Sequence, residues 1–424
     1  MQIFLNIIYF LIALSVLVCI HELGHLSMAK LFDVYCDEFS IGFGPAIYQH
    51  KPKGMNKKHN RPKETKISIR CLPLGGYVAM AGEGMEDVEE LKNIPANRFL
   101  QGVSKWKRAI IMVAGVTLNF ILGLVLLFVG YCFTQTADYS KTNFVVTSTI
   151  TYTDADGVSH SDDSPFLGAG LTSDSTFSKI VVSYEGTIKT SLEGGSIDKD
   201  GNPLPSTYEY TITPGSLDTE GGTAAYLSAT GNSYLPLSLD DTKTYIFTLD
   251  DGSTKTITVA AYASSKTEEN GSTTYTYAWH KLGISTPTRN YTFGEKVKNT
   301  FTTFGEYSIA IFKAIGSLFV GTGFNNLGGP VAIVQQQMQM TQLGFGYFLL
   351  FWGLISINLG VVNLLPFPGL DGWHLLVCIV EGITKRDINP KVKSIMSLIG
   401  MILLFGLMIA ITCKDILRLF FILI

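Results

Sequence analysis

The motif His21-Glu22-Leu23-Gly24-His25 combines the residue types of a hydrolytic metal site. On a helix, residues four apart share a face and lie about 6 Å apart along the axis, so two imidazoles there can bind one Zn²⁺. The glutamate between them is the residue type that holds the metal's water and takes a proton from it. Because the pattern is short, the alternative is a set of surface histidines and a surface glutamate on a soluble helix.

The motif directly continues an apolar run, residues 3–20, in which Asn6 is the one strongly polar side chain. At about 1.5 Å per residue, this run extended to Ala29 is long enough to cross a bilayer core of about 30 Å. Imidazole and carboxyl groups at the bilayer centre each cost a few kcal/mol, and groups found there are usually functional. The position of the motif therefore favours a metal site over surface side chains.

A third ligand is required, because a catalytic zinc takes three protein ligands and leaves its fourth position to water. Asp371 is the best candidate, since it ends the stretch Asn363-Leu-Leu-Pro-Phe-Pro-Gly-Leu-Asp371 after the apolar run 348–365. Pro366 and Pro368 break the helix there, and irregular backbone at membrane depth is tolerated only where it is buried or lines a wet cavity. This stretch is therefore suited to carry a ligand.

Two alternatives concern the same stretch. Asp371 is also suited to cap a helix running from Gly372 toward Gly382, a role that does not exclude ligation. His374 is a nearby, weaker competitor for the metal. The remaining histidines fit poorly, because they lie in a basic loop or outside the predicted membrane segments: His50, His59, His160 and His280.

The elements that must position these residues are helices in a membrane. Charged residues make up 16% of the 424 residues, below the roughly 25% of soluble chains, and the mean hydropathy is +0.27. Four apolar runs are long enough to span a bilayer: residues 3–29, 109–133, 348–365 and 395–412. A formal charge of −3 gives no electrostatic footprint for nucleic acid. The six cysteines all lie in or near apolar segments, which excludes a disulfide-stapled secreted module and a CxxC zinc ribbon.

Basic residues predict the orientation of these runs. Lys and Arg dominate the loop between the first two runs and the loop between the last two: Lys51, Lys53, Lys57, Lys58, Arg61, Lys63, Lys66, Arg70, Lys105, Lys107 and Arg108, then Lys385, Arg386, Lys391 and Lys393. By the positive-inside rule both loops are cytoplasmic. The N-terminus and the segment 134–292 are then predicted to face the extracytoplasmic side.

The segment 134–292 has the composition of a small, mostly β domain, rich in Ser, Thr, Gly, Asp and Tyr. Alternating apolar residues on both sides of a turn predict a β-hairpin with one buried face: Tyr245, Phe247 and Leu249, then Asp250-Asp251-Gly252, then Ile257 and Val259. No metal cluster or nucleophile constellation stands out in its sequence. After it, helical spacing of large apolar residues over 293–319 predicts an amphipathic helix on the membrane face or on this domain.

Taken together, the motifs resemble the site-2 protease family of intramembrane zinc metalloproteases, most closely its bacterial regulators of sigma-factor signalling. The resemblance covers both ends of the chain, in the family's order: His21-Glu22-Leu23-Gly24-His25, Ile41-Gly42-Phe43-Gly44-Pro45, Leu72-Pro73-Leu74-Gly75-Gly76-Tyr77-Val78 with Met80 and Gly82-Glu83, Gly115-Val-Thr-Leu-Asn119-Phe120, Gly329-Pro330-Val331, and Asn358-Leu359-Gly360 leading into Asn363 to Gly372. So many separate motifs in one order are specific.

The resemblance implies roles for individual residues. His21, His25 and Asp371 are the implied zinc ligands, and Glu22 is the implied catalytic base. Asn363, with Asn358 nearby, resembles the polar residues that hold the substrate backbone or the developing oxyanion, a role that amide donors can fill.

Further substrate-binding residues follow from the same resemblance: Gly75, Gly76, Tyr77, Pro366 and Pro368. The first three belong to a stretch similar to the family's membrane-associated β-hairpin, which pairs with an unwound substrate segment by strand addition. Such pairing suits the chemistry, because a helical peptide bond must be extended before water can attack its carbonyl. On spacing alone, the alternative for the two glycines is a tight turn.

Two features concern the rest of the family pattern. Members often carry a PDZ-like domain between the second and third spans, and Ser164-Pro165, Ala169-Gly170-Leu171 and Lys179-Ile180 resemble part of one, within a longer and Ser/Thr-rich insert. Trp373 departs from the pattern, because relatives commonly have another glycine before the histidine. We favour a packing role for Trp373 over a narrowed approach to the metal.

The predicted fold class is an α-helical polytopic membrane protein of about four transmembrane helices, with a membrane-associated β-hairpin and an inserted, mainly-β extracytoplasmic PDZ-like domain. Four regions are predicted. Residues 1–133 form the N-terminal membrane domain and residues 134–292 the PDZ-like domain. Residues 293–343 form the amphipathic helix and connector, and residues 344–424 the C-terminal membrane domain.

The predicted function is a zinc-dependent intramembrane endopeptidase of the bacterial cytoplasmic membrane, with its active site open to the cytoplasmic side. Its expected partners are the lipid bilayer and single-span membrane proteins, such as anti-sigma factors or remnant signal peptides, and no nucleic acid. Two other functional classes fit the sequence less well. An inactive peptide-binding scaffold does not require the intact H-E-x-x-H motif, and a transporter or channel does not explain a His-Glu-His cluster on one helix.

Overall fold

A computed structural model of the chain describes residues 2–56, 61–62, 64–82, 94–138, 144–185, 188–190, 207–211, 234–236, 238–269, 272–285, 287–320 and 328–423. Lys57, Lys58, His59, Lys63 and Glu83 lie outside the described residues. The chain divides into two compact units, residues 1–134 with 291–424, and residues 135–290. They are called the membrane unit and the β unit below.

The helices of the described residues are α1 (Gln2–Leu31), α2 (Lys105–Phe133), α3 (Pro165–Gly168), α4 (Phe293–Phe319), α5 (Pro330–Leu343), α6 (Phe345–Asn363), α7 (Asp371–Thr384) and α8 (Pro390–Leu423). Two 3₁₀ turns, Ala96–Arg98 and Leu100–Gly102, precede α2. The strands are β1 (Cys36–His50), β2 (Met55–Asn56), β3 (Arg61–Pro62), β4 (Lys66–Met80), β5 (Gln135–Ala137), β6 (Val145–Val146), β7 (Thr149–Thr153), β8 (Ser159–Asp163), β9 (Phe177–Glu185), β10 (Ile188–Thr190), β11 (Thr207–Thr211), β12 (Tyr234–Pro236), β13 (Thr242–Leu249), β14 (Thr254–Glu269), β15 (Ser272–Trp279), β16 (Ile284–Ser285) and β17 (Thr288–Asn290).

Four helices of the described residues are long and apolar enough to cross a membrane, which confirms the predicted number of spans. They are α1, α2, α6 and α8, with apolar segments Leu5–Leu31, Lys105–Phe133, Phe345–Asn363 and Lys391–Leu417. Helix α6 ends before the predicted limit of residue 365, because the chain turns there toward Pro366. The chain is therefore a multi-pass membrane protein.

Helix α2 lies at the centre of the membrane unit and packs against α1, α4, α6 and α7. Its close approach to α6 depends on small residues. A Cβ added at Gly123 would lie 2.7 Å from Ile357 Cγ1, and one added at Gly353 would lie 3.2 Å from the Gly123 carbonyl oxygen. Small residues let helix backbones meet in a membrane, where packing drives helix association. Leu127, Ile357 and Val361 are buried in this contact.

Helix α4 carries the apolar stripe that its sequence predicts, and part of the stripe packs against other helices. Ile311 is buried with side chains of α2 and α6, and Phe304 meets Phe120 edge-on at a ring-centroid distance of 5.5 Å. The helix bundle thus covers Phe304, Ile311 and Ile315 of the stripe, whereas Phe301 and Phe312 are exposed. Periodicity identifies an apolar face but not what covers it.

Strands β1 and β4 both bend, and their halves form one small sheet. In the antiparallel register, 36–41 pairs with 76–80, and 46–50 pairs with 67–70. Residues 38–41 also pair with residues 66–69, and along this second pairing the residue numbers of both segments increase in the same direction. The bends fall at glycines with positive φ, namely Gly42 at +89°, Gly44 at +84° and Gly75 at +152°. Segments 46–50 and 76–80 are therefore the outer segments of this sheet.

One end of the membrane unit is held together by polar bonds around Glu381 of α7, whose side chain is fully buried. Its carboxylate accepts from Lys393 Nζ at 2.5 Å and from the Ile388 backbone N–H at 3.0 Å, and Arg108 Nη1 lies 3.4 Å away. Lys105 Nζ donates to the Glu381 carbonyl oxygen at 2.7 Å. These bonds join the start of α2, the end of α7 and the start of α8.

The β unit contains a five-stranded antiparallel sheet in the order β11–β9–β13–β14–β15. The hairpin predicted from the alternating residues is the pair β13–β14, in which Tyr245 is opposite Ile257 and Gly252 lies in the turn with a φ of +82°. Tyr245, Phe247, Ile257 and Val259 are buried, as the alternation predicts. The mainly-β character is therefore confirmed, whereas the PDZ-like assignment stays a prediction.

Candidate metal centre

Three side chains from two helices converge in the membrane unit. His21 and His25 lie one turn apart on α1, and Asp371 is the first residue of α7. Asp371 Oδ2 lies 3.0 Å from His21 Nε2 and 3.2 Å from His25 Nε2, and the two Nε2 atoms are 3.2 Å apart. Both histidines are buried and Asp371 is partly buried. Among the described residues, no other group of three His, Cys, Asp or Glu side chains is arranged to hold a metal ion.

The donor set fits a zinc ion. His25 Nδ1 lies 2.8 Å from the Ile111 carbonyl oxygen, which can only accept, so the ring proton is on Nδ1 and Nε2 keeps its lone pair. Asp371 Oδ2 is buried and makes no hydrogen bond with the described residues, although both Nε2 atoms are within 3.2 Å. The lone pair of His25 Nε2 and the carboxylate oxygen are both acceptors, and a cation between them would remove their repulsion. Ligand atoms about 2.0–2.1 Å from a tetrahedral zinc are about 3.3 Å apart, close to the spacing seen here.

A close contact between α1 and α2 holds the two histidines. A Cβ added at Gly24 would lie 2.5 Å from the Ala114 carbonyl oxygen. One added at Gly115 would lie 2.8 Å from His25 Cε1 and 2.9 Å from His21 Cε1. The backbones therefore meet at the motif only because both positions lack a side chain.

Asp371 reaches the histidines because the connection between α6 and α7 is short and sharply turned. Pro366 and Pro368 lie in this connection, and Gly369 has a φ of +99°. A Cβ added at Gly372 would lie 2.5 Å from the Leu364 carbonyl carbon, so the start of α7 packs tightly against the residue after α6. The helix break predicted from the prolines is observed, and it brings the carboxylate toward α1.

The structure distinguishes the alternative roles of Asp371 and His374. Leu370, not Asp371, is the N-cap of α7, and it provides no side-chain capping bond. His374 is not part of the converging group of the described residues. Trp373 is partly buried, and its indole Nε1 has no hydrogen-bond partner among the described residues.

Glu22 and the outer segment 76–80 border the converging side chains. Glu22 follows His21 on α1 and is partly buried. A Cβ added at Gly76 would lie 3.7 Å from Glu22 Cγ, so the strand passes directly beside this side chain. Asn363, the last residue of α6, has its Nδ2 3.5 Å from His21 Nε2. The structure therefore brings three further predicted residues to the edge of the site.

Tyr77 and Asn358 are placed differently. The Tyr77 hydroxyl donates to Glu38 Oε2 at 3.0 Å, and Arg70 Nη2 donates to Glu38 Oε1 at 2.7 Å, so this cluster joins three segments of the small sheet. Burial acts to raise the pKa of Glu38, but hydrogen bonds from Ser68, Arg70 and Tyr77 outweigh it and lower that pKa. Within the described part of the chain, no hydrogen bond links Asn358 to the histidines or to Asp371.

Asn119 of α2 is a further polar side chain at the site, and its role was not predicted. It is fully buried, and its Nδ2 lies 3.0 Å from His21 Nδ1. The sequence contains two signals that point to it, namely an amide side chain inside the second apolar run and its place in the stretch Gly115-Val-Thr-Leu-Asn119-Phe120 that carries part of the family resemblance. Polar groups at membrane depth are costly and are usually functional.

Several bacterial relatives match the chain over nearly its whole length. The sequence model of Peptidase family M50 matches residues 9–407. A protein of Lactococcus lactis that is named as a zinc metalloprotease is 28% identical over 98% of this chain and 99% of its own length. The protease Eep of Enterococcus faecalis is also 28% identical, over 98% of this chain and 100% of its own length. A Streptococcus pneumoniae protein named as a zinc metalloprotease is 29% identical over 98% of this chain and all of its own.

Proposed function

The chain belongs to peptidase family M50, the site-2 protease family, and is a zinc metalloendopeptidase, and from this premise we propose that it cuts peptide bonds within or near the membrane-spanning segments of single-span proteins. Membership of this family implies membrane-protein substrates in a lipid bilayer. The candidate metal centre lies among helices that are apolar enough to span that bilayer. Hydrolysis at membrane depth is therefore the activity that these features support best.

His21, His25 and Asp371 are the residues that would hold the zinc. The observation that carries this assignment is the convergence of two Nε2 atoms and one carboxylate oxygen within 3.2 Å of one another. When bound, zinc supplies Lewis acidity, which polarises a carbonyl group and lowers the pKa of water toward about 7. Three protein ligands would leave the fourth coordination position of the zinc open to water or substrate.

Glu22 is the proposed general base. Its carboxylate takes a proton from the attacking water, and the same carboxyl group then delivers a proton to the leaving amine nitrogen. Asn363 Nδ2 lies 3.5 Å from His21 Nε2, where its N–H can donate to the carbonyl oxygen of the substrate as negative charge develops there. Each of these side chains acts on a different atom of the scissile peptide.

The outer segment 76–80 is the proposed docking strand for the substrate. It pairs with β1 on one side, and no other described strand pairs with it. An extended peptide can add to such an edge, which would present its carbonyl groups beside Glu22. The same sheet exposes large apolar side chains suited to a membrane interface, namely Phe43, Ile47, Tyr48, Ile67, Ile69 and Leu72. Pro366 and Pro368 would complete the binding surface near Asp371.

The finer assignments from the sequence belong to the same proposal. The basic loops support a site open to the cytoplasmic side of a bacterial cytoplasmic membrane. The region 134–292, with its PDZ-like character, is proposed to face the extracytoplasmic side and to admit substrates already shortened by another protease. Anti-sigma factors and remnant signal peptides are the proposed substrates.

The proposal is tested by co-expressing the full-length chain with tagged single-span proteins of both substrate types. The wild type and the control Glu306→Gln, an exposed glutamate of α4, should release a shortened fragment. Glu22→Gln should bind zinc but release none, because an amide cannot take the proton. Undiminished cleavage by Glu22→Gln would contradict the assigned base, and intact substrates throughout would contradict the substrate class.

A further inference from the structure

One face of α2 contacts both imidazole rings through residues spaced four apart. The Ile111 carbonyl oxygen accepts from His25 Nδ1 at 2.8 Å. Gly115, one turn later, leaves the space that the two rings occupy. Asn119, after another turn, lies 3.0 Å from His21 Nδ1. Each histidine therefore has its second ring nitrogen against α2 while its Nε2 faces Asp371.

The two histidines differ in how that second nitrogen is fixed. A backbone carbonyl can only accept a hydrogen bond, so Ile111 sets the tautomer of His25 without ambiguity. A side-chain amide presents either an acceptor or two donors, depending on its rotation. The Asn119 amide presents Nδ2 to His21, and its Oδ1 is then buried without a hydrogen-bond partner among the described residues.

The rotation of this amide decides whether His21 can bind a metal. If Nδ2 donates to Nδ1, the neutral imidazole must carry its proton on Nε2, which then has no lone pair for a ligand bond. If Oδ1 faces Nδ1, the ring proton lies on Nδ1 and Nε2 is available. The second arrangement also gives the buried Oδ1 atom the partner that it lacks.

We propose that Asn119 is a positioning residue of the metal centre, and that its side-chain oxygen accepts the Nδ1–H of His21 when zinc is bound. The inference rests on the metal centre of the proposed function and adds a residue to it. Partners of this kind typically contribute 10- to 100-fold to metal affinity.

The test compares two substitutions with opposite hydrogen-bonding properties. Aspartate is acceptor-only when ionised, whereas leucine has a similar size and neither donates nor accepts. Zinc affinity of the purified full-length chain is measured by competition with a chromogenic chelator, and Co²⁺-loaded samples give the visible absorption spectrum of the site. Thr117→Val is the matched control, because it removes an exposed hydroxyl of α2 that bonds the Val113 carbonyl oxygen at 2.9 Å.

We expect Asn119→Leu to weaken zinc binding by about 10- to 100-fold and to alter the Co²⁺ spectrum. Asn119→Asp and Thr117→Val should stay close to the wild type in both measurements. If Asn119 merely filled space or donated a hydrogen bond to His21 Nδ1, the acceptor-only aspartate in Asn119→Asp would not be expected to retain wild-type zinc affinity. If Asn119→Leu does not fold, Asn119→Ala should show the same loss.

Three results would overturn the inference. Wild-type affinity in a folded Asn119→Leu or Asn119→Ala variant would show that the amide is unnecessary. Affinity of Asn119→Asp as low as that of Asn119→Leu would show that the side chain acts as a donor. Failure of the metal centre itself gives a different result, in which the wild type and His25→Ala bind zinc equally, and this would remove the inference together with its premise.

Discussion

Replacing Gly115 by alanine tests directly whether α2 holds the metal ligands in place. The added Cβ would lie 2.8 Å from His25 Cε1 and 2.9 Å from His21 Cε1, and nearer still to His25 Nε2. Ordinary contacts of a Cβ begin at 3.4 Å, so each ring must withdraw by at least about 0.5 Å or the two helices must separate.

A displacement of this size should strongly weaken metal binding but reduce the stability of the fold only moderately. Ligand distances in such sites hold to within about 0.2 Å, and a misplacement of about 1 Å at a reacting centre can cost roughly 100-fold in rate. Inserting one methyl group into a packed core typically costs about 1–3 kcal/mol. We therefore expect Gly115→Ala to fold, to bind zinc at least about tenfold more weakly and to lose most of its cleavage activity.

The assay measures zinc affinity by chelator competition, thermal stability and release of a substrate fragment, all on the full-length chain. Gly382→Ala is the matched control, because it makes the same substitution in helix α7 at a position where the added Cβ meets nothing within 4 Å. This control should match the wild type in zinc affinity and cleavage. Wild-type zinc affinity in a folded Gly115→Ala variant would refute the argument that close packing of α2 fixes the imidazoles.

Two predictions concern stability and pH. Burial acts to raise the pKa of Glu64, but hydrogen bonds from Arg98 and Lys30 outweigh burial and lower that pKa in the folded chain. The ionised Glu64 therefore contributes its full stabilisation above its ordinary pKa of 4.5. This contribution is lost as the pH falls through the lowered pKa of the folded chain. Melting temperatures of the wild type and Glu64→Gln should therefore differ at pH 7 and converge as the pH falls well below 4.5, and a constant difference would contradict this origin. Burial lowers the pKa of Lys243 to about 8, so the unfolded chain binds more protons between that pH and 10.5, and stability should rise with pH across this window. Lys243→Met should reduce this rise, and an unchanged slope in denaturant titrations would show that the lysine is not its source.

The part of the site that sequence reasoning predicted best is the part fixed by local geometry. His21 and His25 come together because helical spacing alone places residues four apart on one face. Asp371 is distant along the chain, and it was identified from the requirement for a third ligand, a helix break at membrane depth and the family resemblance. The roles of all these residues remain predictions, but their side chains meet where those predictions require.

The roles of Asn119 and Gly115 at the metal centre were not predicted, although both belong to a stretch that carries part of the family resemblance. Both lie in the second apolar run, where periodicity says little because nearly every residue is apolar on all sides. Their importance depends on which face of α2 meets α1, and that is a property of tertiary packing. The same limit explains α4, whose apolar stripe was recognised while its partners α2 and α6 were not.

The β unit illustrates the opposite case. Alternation in Tyr245, Phe247, Ile257 and Val259 predicted a hairpin because period-two patterning and a turn containing Gly252 act within one short segment. The bends of β1 and β4 were not predicted, although Gly42, Gly44 and Gly75 provide them. For Gly75 the sequence left open a family-type β-hairpin or a tight turn, and only the pairing of four strand segments shows that the three glycines shape a sheet.

The spacing of the three ligand atoms depends on α2, although α2 supplies none of them. Two ligands belong to α1 and the third to α7, and α2 packs against both helices. A shift of α2 would therefore move the imidazoles relative to the carboxylate. The H-E-x-x-H helix determines which atoms can bind, whereas the Ile111, Gly115 and Asn119 face determines their distance and tautomer. Substitutions along that face should therefore change metal affinity without altering any ligand, whereas substitutions on the lipid-facing side of the same helix, such as Thr117→Val, should not.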